Sequence, residues 1–334
     1  MRIGRPVRDA TKWLLKRNGY RILRDEDLYE WQRKPEPGDA YNPSDLPPGA
    51  IEILSSSNQQ LKSLQQRYAA FDRSVTAPLV WHENYIRDEQ IQFFRGDNGY
   101  VWQLRGQNMN PLSYVLTTYY ALSIDEHGFL DRLCEDETFG NFTFQIANKI
   151  ISRDLLDSVS ELYFLDNHLD IASRENVCIL DIGAGYGRLA HRTVTALPNV
   201  RYLCTDAVAA STFISDFYLH FRGVQDRAIS VPLDQIERTL ELEPVNLAVN
   251  VHSFSECRIE AIDWWLTLLA TNRVQHLMII PNGNQPRMYT NDGNDFQPIV
   301  ERHGYRLMAK EPKYRDPLVQ QYGINPSYYY LFQL

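Results

Sequence analysis

Cys178-Ile179-Leu180-Asp181-Ile182-Gly183-Ala184-Gly185-Tyr186-Gly187 is the stretch that decides the fold. A short apolar run carries an acid near its end, three glycines follow at alternate positions, and Arg188-Leu189-Ala190-His191 opens an amphipathic run. That order predicts a buried strand, a tight turn that needs residues without side chains, and a helix N-terminus beyond it. Such a turn lets a ligand lie against bare backbone and the positive end of a helix.

The spacing separates the ligands that use this device. The dinucleotide fingerprint puts its third glycine one position later. Here that position is Arg188, whose long side chain would stand where the helix must pack on the strand. The D-x-G-x-G-x-G order of Asp181 to Gly187 instead resembles motif I of the class I S-adenosylmethionine-dependent methyltransferases. The resemblance implies that Asp181 lies near the methionyl end of the cofactor. It also implies that Gly183, Ala184, Gly185 and Gly187 line it.

A second apolar run, Val200 to Thr205, ends at Asp206 and Ala207. An acid at the end of the second strand of such a unit can accept hydrogen bonds from both ribose hydroxyls. It can also cap the following helix, read over 207–221. A third strand, Ala228 to Pro232, leads to Leu233 and Asp234. In the methyltransferase pattern this region borders the adenine ring. Asp234 either holds the exocyclic amine or caps the helix that carries Ile236 and Leu240.

The catalytic candidates follow the fourth strand, Val245 to Val251, whose Asn250 is placed on the cofactor side. Ligands of open α/β sheets bind outside the carboxyl ends of the strands. His252 and Glu256 leave the strand there. A hydroxyl is a poor nucleophile near neutral pH, and a positioned imidazole is the usual remedy. Glu256 can orient His252, take the proton itself or bind a divalent cation such as Mg, although no spacing fixes a metal site. The plainer reading has His252 bonded to a loop and Glu256 at a helix start.

A helix with Trp264, Trp265 and Leu268, a fifth strand at His276 to Ile280 and a polar loop over 282–294 come next. Asn282 in that loop is a substrate-side candidate. A helix over 296–302 and strands over 305–310 and 327–334 complete the pattern. The expected fold is α/β and Rossmann-like, with a seven-stranded, mostly parallel sheet preceded by a mainly helical N-terminal region. The run Val249 to Glu256, with Asp181 to Gly187 upstream and Pro281-Asn282 downstream, is similar to a bacterial family of sugar O-methyltransferases. Lys16 to Arg21 also looks like the start of bacterial glycan-modifying methyltransferases. The resemblance implies S-adenosylmethionine as cofactor and a sugar hydroxyl as acceptor.

At 334 residues the chain is long for one domain. Ser152, a helix N-cap, precedes apolar positions at Leu155, Val159, Leu162 and Leu165, which sets a boundary near 150. Residues 1–150 are then a helical substrate or lid region, and 151–334 the cofactor domain. Tyr114, Tyr119 and His127, near a loop at 106–111, suit a carbohydrate or simply a core. Residues 34–50, rich in Pro and Gly, read as a connector.

The net charge of −8 gives a nucleic acid no support from the whole chain. The four cysteines lack metal-ligand spacing and read as reduced residues of a cytoplasmic protein. No apolar run is long enough to span a membrane, and no secretory h-region opens the chain. Arg2, Arg5, Arg8, Lys12, Lys16, Arg17, Arg21 and Arg24 face only Asp9 in the first stretch. That segment rests on an anionic membrane surface, resembles an organellar targeting peptide, or packs on the body with a solvated basic face. The sequence leaves a homo-oligomer open.

Overall fold

The structure is a computed structural model that describes residues 11, 13–15, 17–18, 20, 22, 42–77, 79–81, 86–96 and 110–334. The loop at 106–109, residues 34–41 and most of the basic N-terminal stretch therefore lie outside the described residues. Among the described residues no helix is long and apolar enough to cross a membrane.

Among the described residues nine strands form two sheets. β1 (Phe144–Ile146) and β2 (Lys149–Ile151) make an antiparallel hairpin. The others are β3 (Val177–Ile182), β4 (Val200–Thr205), β5 (Ala228–Ser230), β6 (Leu247–Val251), β7 (His276–Ile280), β8 (Arg306–Pro312) and β9 (Tyr328–Gln333). They form one seven-stranded sheet in the order β5-β4-β3-β6-β7-β9-β8. β3 to β7 run parallel, and β9 is antiparallel to both β7 and β8. The expected α/β, Rossmann-like sheet is what the chain forms.

The longer helices are α1 (Gln59–Ala69), α2 (Pro111–Ile124), α3 (Arg153–Leu169), α4 (Arg188–Ala196), α5 (Ala209–Phe221) and α6 (Ile259–Thr271). All six residues of β3 are buried, as a parallel strand covered on both faces requires. Val177 and Ile179 point into one apolar layer with Leu155, Val159 and Leu162 of α3 and Leu189 and Val194 of α4. Cys178, Leu180 and Ile182 point into the other, with Phe213 and Ile214 of α5 and Trp265 and Leu269 of α6. The period of two along the strand thus sorts its residues between two helical layers. α2 joins the first layer through Tyr114 and Val115, and α1 joins the second through Leu61, Leu64 and Tyr68.

Ser152 caps α3 as expected, its hydroxyl accepting from Leu155 N–H at 3.0 Å. The β1–β2 hairpin falls where the sequence reads as helical. Its turn uses Ala147 and Asn148 at φ 53° and 61°, a left-handed pair matched to the twist of a hairpin. The topology fixes the site. The chain runs outward from β3 to β4 and β5, then returns to place β6 on the other side of β3. The crevice at the carboxyl ends of β3 and β6 is the switch point at which such sheets bind ligands.

Candidate active site at the strand switch

A cavity of about 430 Å³ opens at that crevice, within the roughly 300–1,000 Å³ usual for small-molecule sites. Its wall includes Asp181, Gly183, Ala184 and Gly185 after β3, Asp206 and Ala207 after β4, and His252 and Glu256 after β6.

The glycine turn is held against the neighbouring strand. Gly183 and Ala184 N–H both donate to Thr205 C=O, at 2.9 and 3.1 Å. Gly183 sits at φ 78°, and a Cβ there would stand 2.1 Å from Ser253 Oγ. A side chain is therefore excluded both by the backbone conformation and by the loop that leaves β6. Asp206 closes the turn from the other side. Its Oδ2 accepts from Gly185 N–H at 3.1 Å and its Oδ1 from Val208 N–H at 2.8 Å. Burial nonetheless pushes its carboxyl up to about 7. Burial does the same to Asp181, also to about 7, although Tyr202 O–H donates to it at 3.0 Å.

His252 leaves β6 in a left-handed conformation, φ 69°, with its N–H donating to Ile280 C=O at 2.7 Å. Its Nε2 lies 3.5 Å from Asn325 Nδ2, and its buried Nδ1 has no partner among the described residues. Burial, reinforced by the Arg153 charge, holds the imidazole down at about 4, so it is neutral at pH 7. Glu256 accepts from Trp81 Nε1–H at 2.7 Å and from Asn282 Nδ2–H at 3.2 Å, and burial raises its carboxyl. It braces the rim of the cavity through Trp81 and Asn282. Among the described residues no group of three or more His, Cys, Asp or Glu side chains is placed to hold a metal ion.

Several residues expected at the ligand lie elsewhere. Leu233 is fully buried and its N–H donates to Tyr68 O–H at 2.7 Å. The Asp234 carboxylate is taken by Arg67, at 2.9 and 2.7 Å, so it neither faces the cavity nor caps a helix. Asn250 is a brace, donating to Ile182 C=O at 2.8 Å and accepting from Phe254 N–H at 2.8 Å. Gly187 ends the turn at φ 84° against Ser215 of α5, off the cavity wall. Tyr114 is fully buried, its ring 4.4 Å from that of Phe144. Tyr119 packs on the same layer. His127 sits 2.6 Å from the Asp166 carboxylate on a side chain 41% exposed. Of the four acceptor candidates, Asn282 alone is on the wall.

The sequence reading did not single out Arg153, Trp81 or Asn325, which also line the cavity. Arg188, at the position where the dinucleotide fingerprint has its third glycine, forms a buried pair with Glu161, two contacts of 2.8 Å, and bonds Ser158 at 2.8 Å.

No protein-family model matches the chain, and no curated protein matches it. Solved structures that resemble about half of it include three methyltransferases. One is an S-adenosylmethionine-dependent enzyme from Aquifex aeolicus, at 14% identity over 52% of this chain and 88% of that one, TM-score 0.38. Another is the magnesium protoporphyrin IX methyltransferase ChlM from Synechocystis PCC 6803 with bound cofactor, at 12% identity over 54% and 78%, TM-score 0.37. A third is the tRNA methyltransferase TrmK of B. subtilis, at 10% identity over 52% and 64%, TM-score 0.38.

Proposed function

We propose that the chain is an S-adenosylmethionine-dependent methyltransferase acting on a hydroxyl. The observation that carries this reading is that the glycine turn after β3, the acid after β4 and a neutral histidine after β6 share one cavity. That Gly183, Ala184, Gly185 and Asp206 all line the cavity supports this reading, in which bare backbone takes the cofactor and Asp206 accepts from its ribose hydroxyls. When bound, S-adenosylmethionine would supply a methyl group on a sulfonium; the acceptor oxygen would take that methyl, the neutral thioether would leave, and the hydroxyl proton would pass to a base. His252 is the candidate base. Its Nε2 lone pair meets only the long contact to Asn325, which an entering hydroxyl can replace. Residues 151–334 form the cofactor side in this reading, and 1–150 contribute to the acceptor side.

A sugar hydroxyl is the finer form of the proposal, and it is supported by the sequence resemblance of Val249 to Glu256. Four unpaired cysteines suit the reducing cytoplasm. The test is incubation with S-adenosylmethionine and a panel of mono- and oligosaccharides, read by product mass. A product heavier by one CH₂ is expected. H252Q should lower turnover roughly a hundredfold while cofactor affinity is kept. Transfer to a non-sugar acceptor alone would retain the methyltransferase and overturn the sugar.

A further inference from the structure

Arg153 stands on the cavity wall at the first position of α3, and its side chain is only 14% exposed. A guanidinium carries five N–H donors. None of those on Arg153 makes a hydrogen bond among the described residues, and its Nε is buried without a partner. The nearest carboxylate oxygen is Asp157 Oδ2, 3.4 Å from Nε. Asp157 is already matched, because the buried Lys313 ammonium donates to its other oxygen. The neighbouring Arg188 is consumed by Glu161. The charges felt most at His252 include Arg153, Arg188 and Lys313 on one side and Asp157 on the other.

A largely buried guanidinium that makes no hydrogen bond and shares its one carboxylate, Asp157, with Lys313 is left short of negative charge unless something further meets it. Its charge-assisted partner must come from the cavity. We propose that Arg153 is the seat of an anionic group, carboxylate or phosphate, on the acceptor, which presents its reactive hydroxyl to His252. The acceptor class becomes hydroxy acids and phosphorylated or uronic sugars rather than neutral sugars. The inference rests on the methyltransferase reading for the identity of the acceptor, and the anion seat stands on Arg153 itself. The chain's net charge of −8 disfavours a polynucleotide as the source of the phosphate.

The test is calorimetric titration of inorganic phosphate, and separately of acetate, into the full chain, alone and saturated with S-adenosylhomocysteine. The proposal expects one saturable site in the saturated protein. R153Q should weaken it roughly tenfold or more, and R153K should keep most of it. The stronger of the two anions tells phosphate from carboxylate acceptors. N325D is a second variant that does not depend on how R153Q folds. Asn325 has φ 46°, a conformation Asp tolerates, and its new carboxylate on the same wall should weaken anion binding as well.

Failure of both anions to bind the native chain overturns the proposal, as does equal binding by R153Q. If phosphate and S-adenosylhomocysteine exclude each other, and R153Q loses the latter, Arg153 seats the cofactor's own carboxylate and the acceptor assignment falls. If S-adenosylhomocysteine never binds but phosphate still requires Arg153, the anion seat survives and the methyltransferase reading is what fails.

Discussion

The hydroxyl of Tyr68 accepts the N–H of Leu233 at 2.7 Å and lies 2.8 Å from Thr212 Oγ1, so a side chain of α1 occupies the backbone edge beyond β5. Arg67, its neighbour on the helix, clamps Asp234 beside it. α1 thus covers Leu233 and Asp234, where the resemblance would set the adenine ring, and the cavity is bounded by residues after β3, β4 and β6.

Y68F removes the acceptor and leaves Leu233 N–H buried and unpaired. The expected cost is about 1–3 kcal/mol, read as a lower denaturant midpoint with an unchanged slope. A midpoint equal to that of the native chain would mean α1 is not bolted through this hydroxyl.

G183A combines a positive φ with a Cβ placed 2.1 Å from Ser253 Oγ. Cofactor affinity should fall beyond detection, with a loss of stability. The double variant G183A/S253G removes the steric part and leaves the backbone strain, so it should recover stability only partly. Full recovery would assign the requirement for glycine to the Ser253 contact alone.

Asp181 and Asp206 both hold their protons up to about 7. The ionised forms are the ones that favour a cationic cofactor and accept from its hydroxyls. Affinity for S-adenosylmethionine should therefore fall as pH drops through 7, with protons released on binding in calorimetry below that pH. The stability trend is opposite in sign. Groups with raised values favour the folded state at low pH and cost stability as pH rises from about 4 to 7. D206N turns one of the two accepting oxygens into an N–H2 that faces a backbone N–H, so it should bind cofactor more weakly and lose stability at pH 8, while the part of the pH dependence due to this carboxyl disappears. A pH-independent affinity would contradict the placement of these acids at the ligand.

Glu135 joins Arg95, Arg192 and Ser152 in a buried network, Arg192 at 2.7 Å. Burial pushes its carboxyl up, and the two arginines overcome this, holding it down at about 2. Asp157 is likewise held at about 2 by Lys313 and Arg153 against the effect of burial. Depressed carboxylates contribute stability that is present above about 4.5 and lost as pH falls toward 2. E135Q leaves two buried guanidinium groups short of charge, and a loss of about 3–5 kcal/mol is expected at pH 7. The difference from the native chain should shrink in acid. An unchanged difference at pH 3 would mean the ion network is not its source.

Much of this molecule was legible in its residues for a physical reason. β3 is an apolar run interrupted only by Asp181, β7 is apolar after His276, Ser152 is a capping hydroxyl before a 3.6-period stripe, and the turn from Gly183 to Gly187 has its three glycines at positive φ. The three-residue strands β1 and β2 are too short to show a period, so the hairpin reads as helix. The base-side expectation failed because its outcome depends on partners far along the chain. Tyr68 lies 165 positions from Leu233 and Arg67 lies 167 from Asp234, and no local pattern encodes either meeting. Tyr114 carries an aromatic ring and a hydroxyl that suit a ligand wall as well as a core, and only the packing against Phe144 decides. Arg153 carries no local signal, because Lys313, which shares Asp157 with it, lies 156 positions from that carboxylate along the chain.

The most direct measurement is calorimetric titration of S-adenosylmethionine and S-adenosylhomocysteine into the native chain and into D206A. Binding of one equivalent to the native chain, weakened roughly tenfold or more in D206A, is the predicted result. Absence of binding to the native chain, or affinity indifferent to Asp206, would contradict the assignment of this cavity.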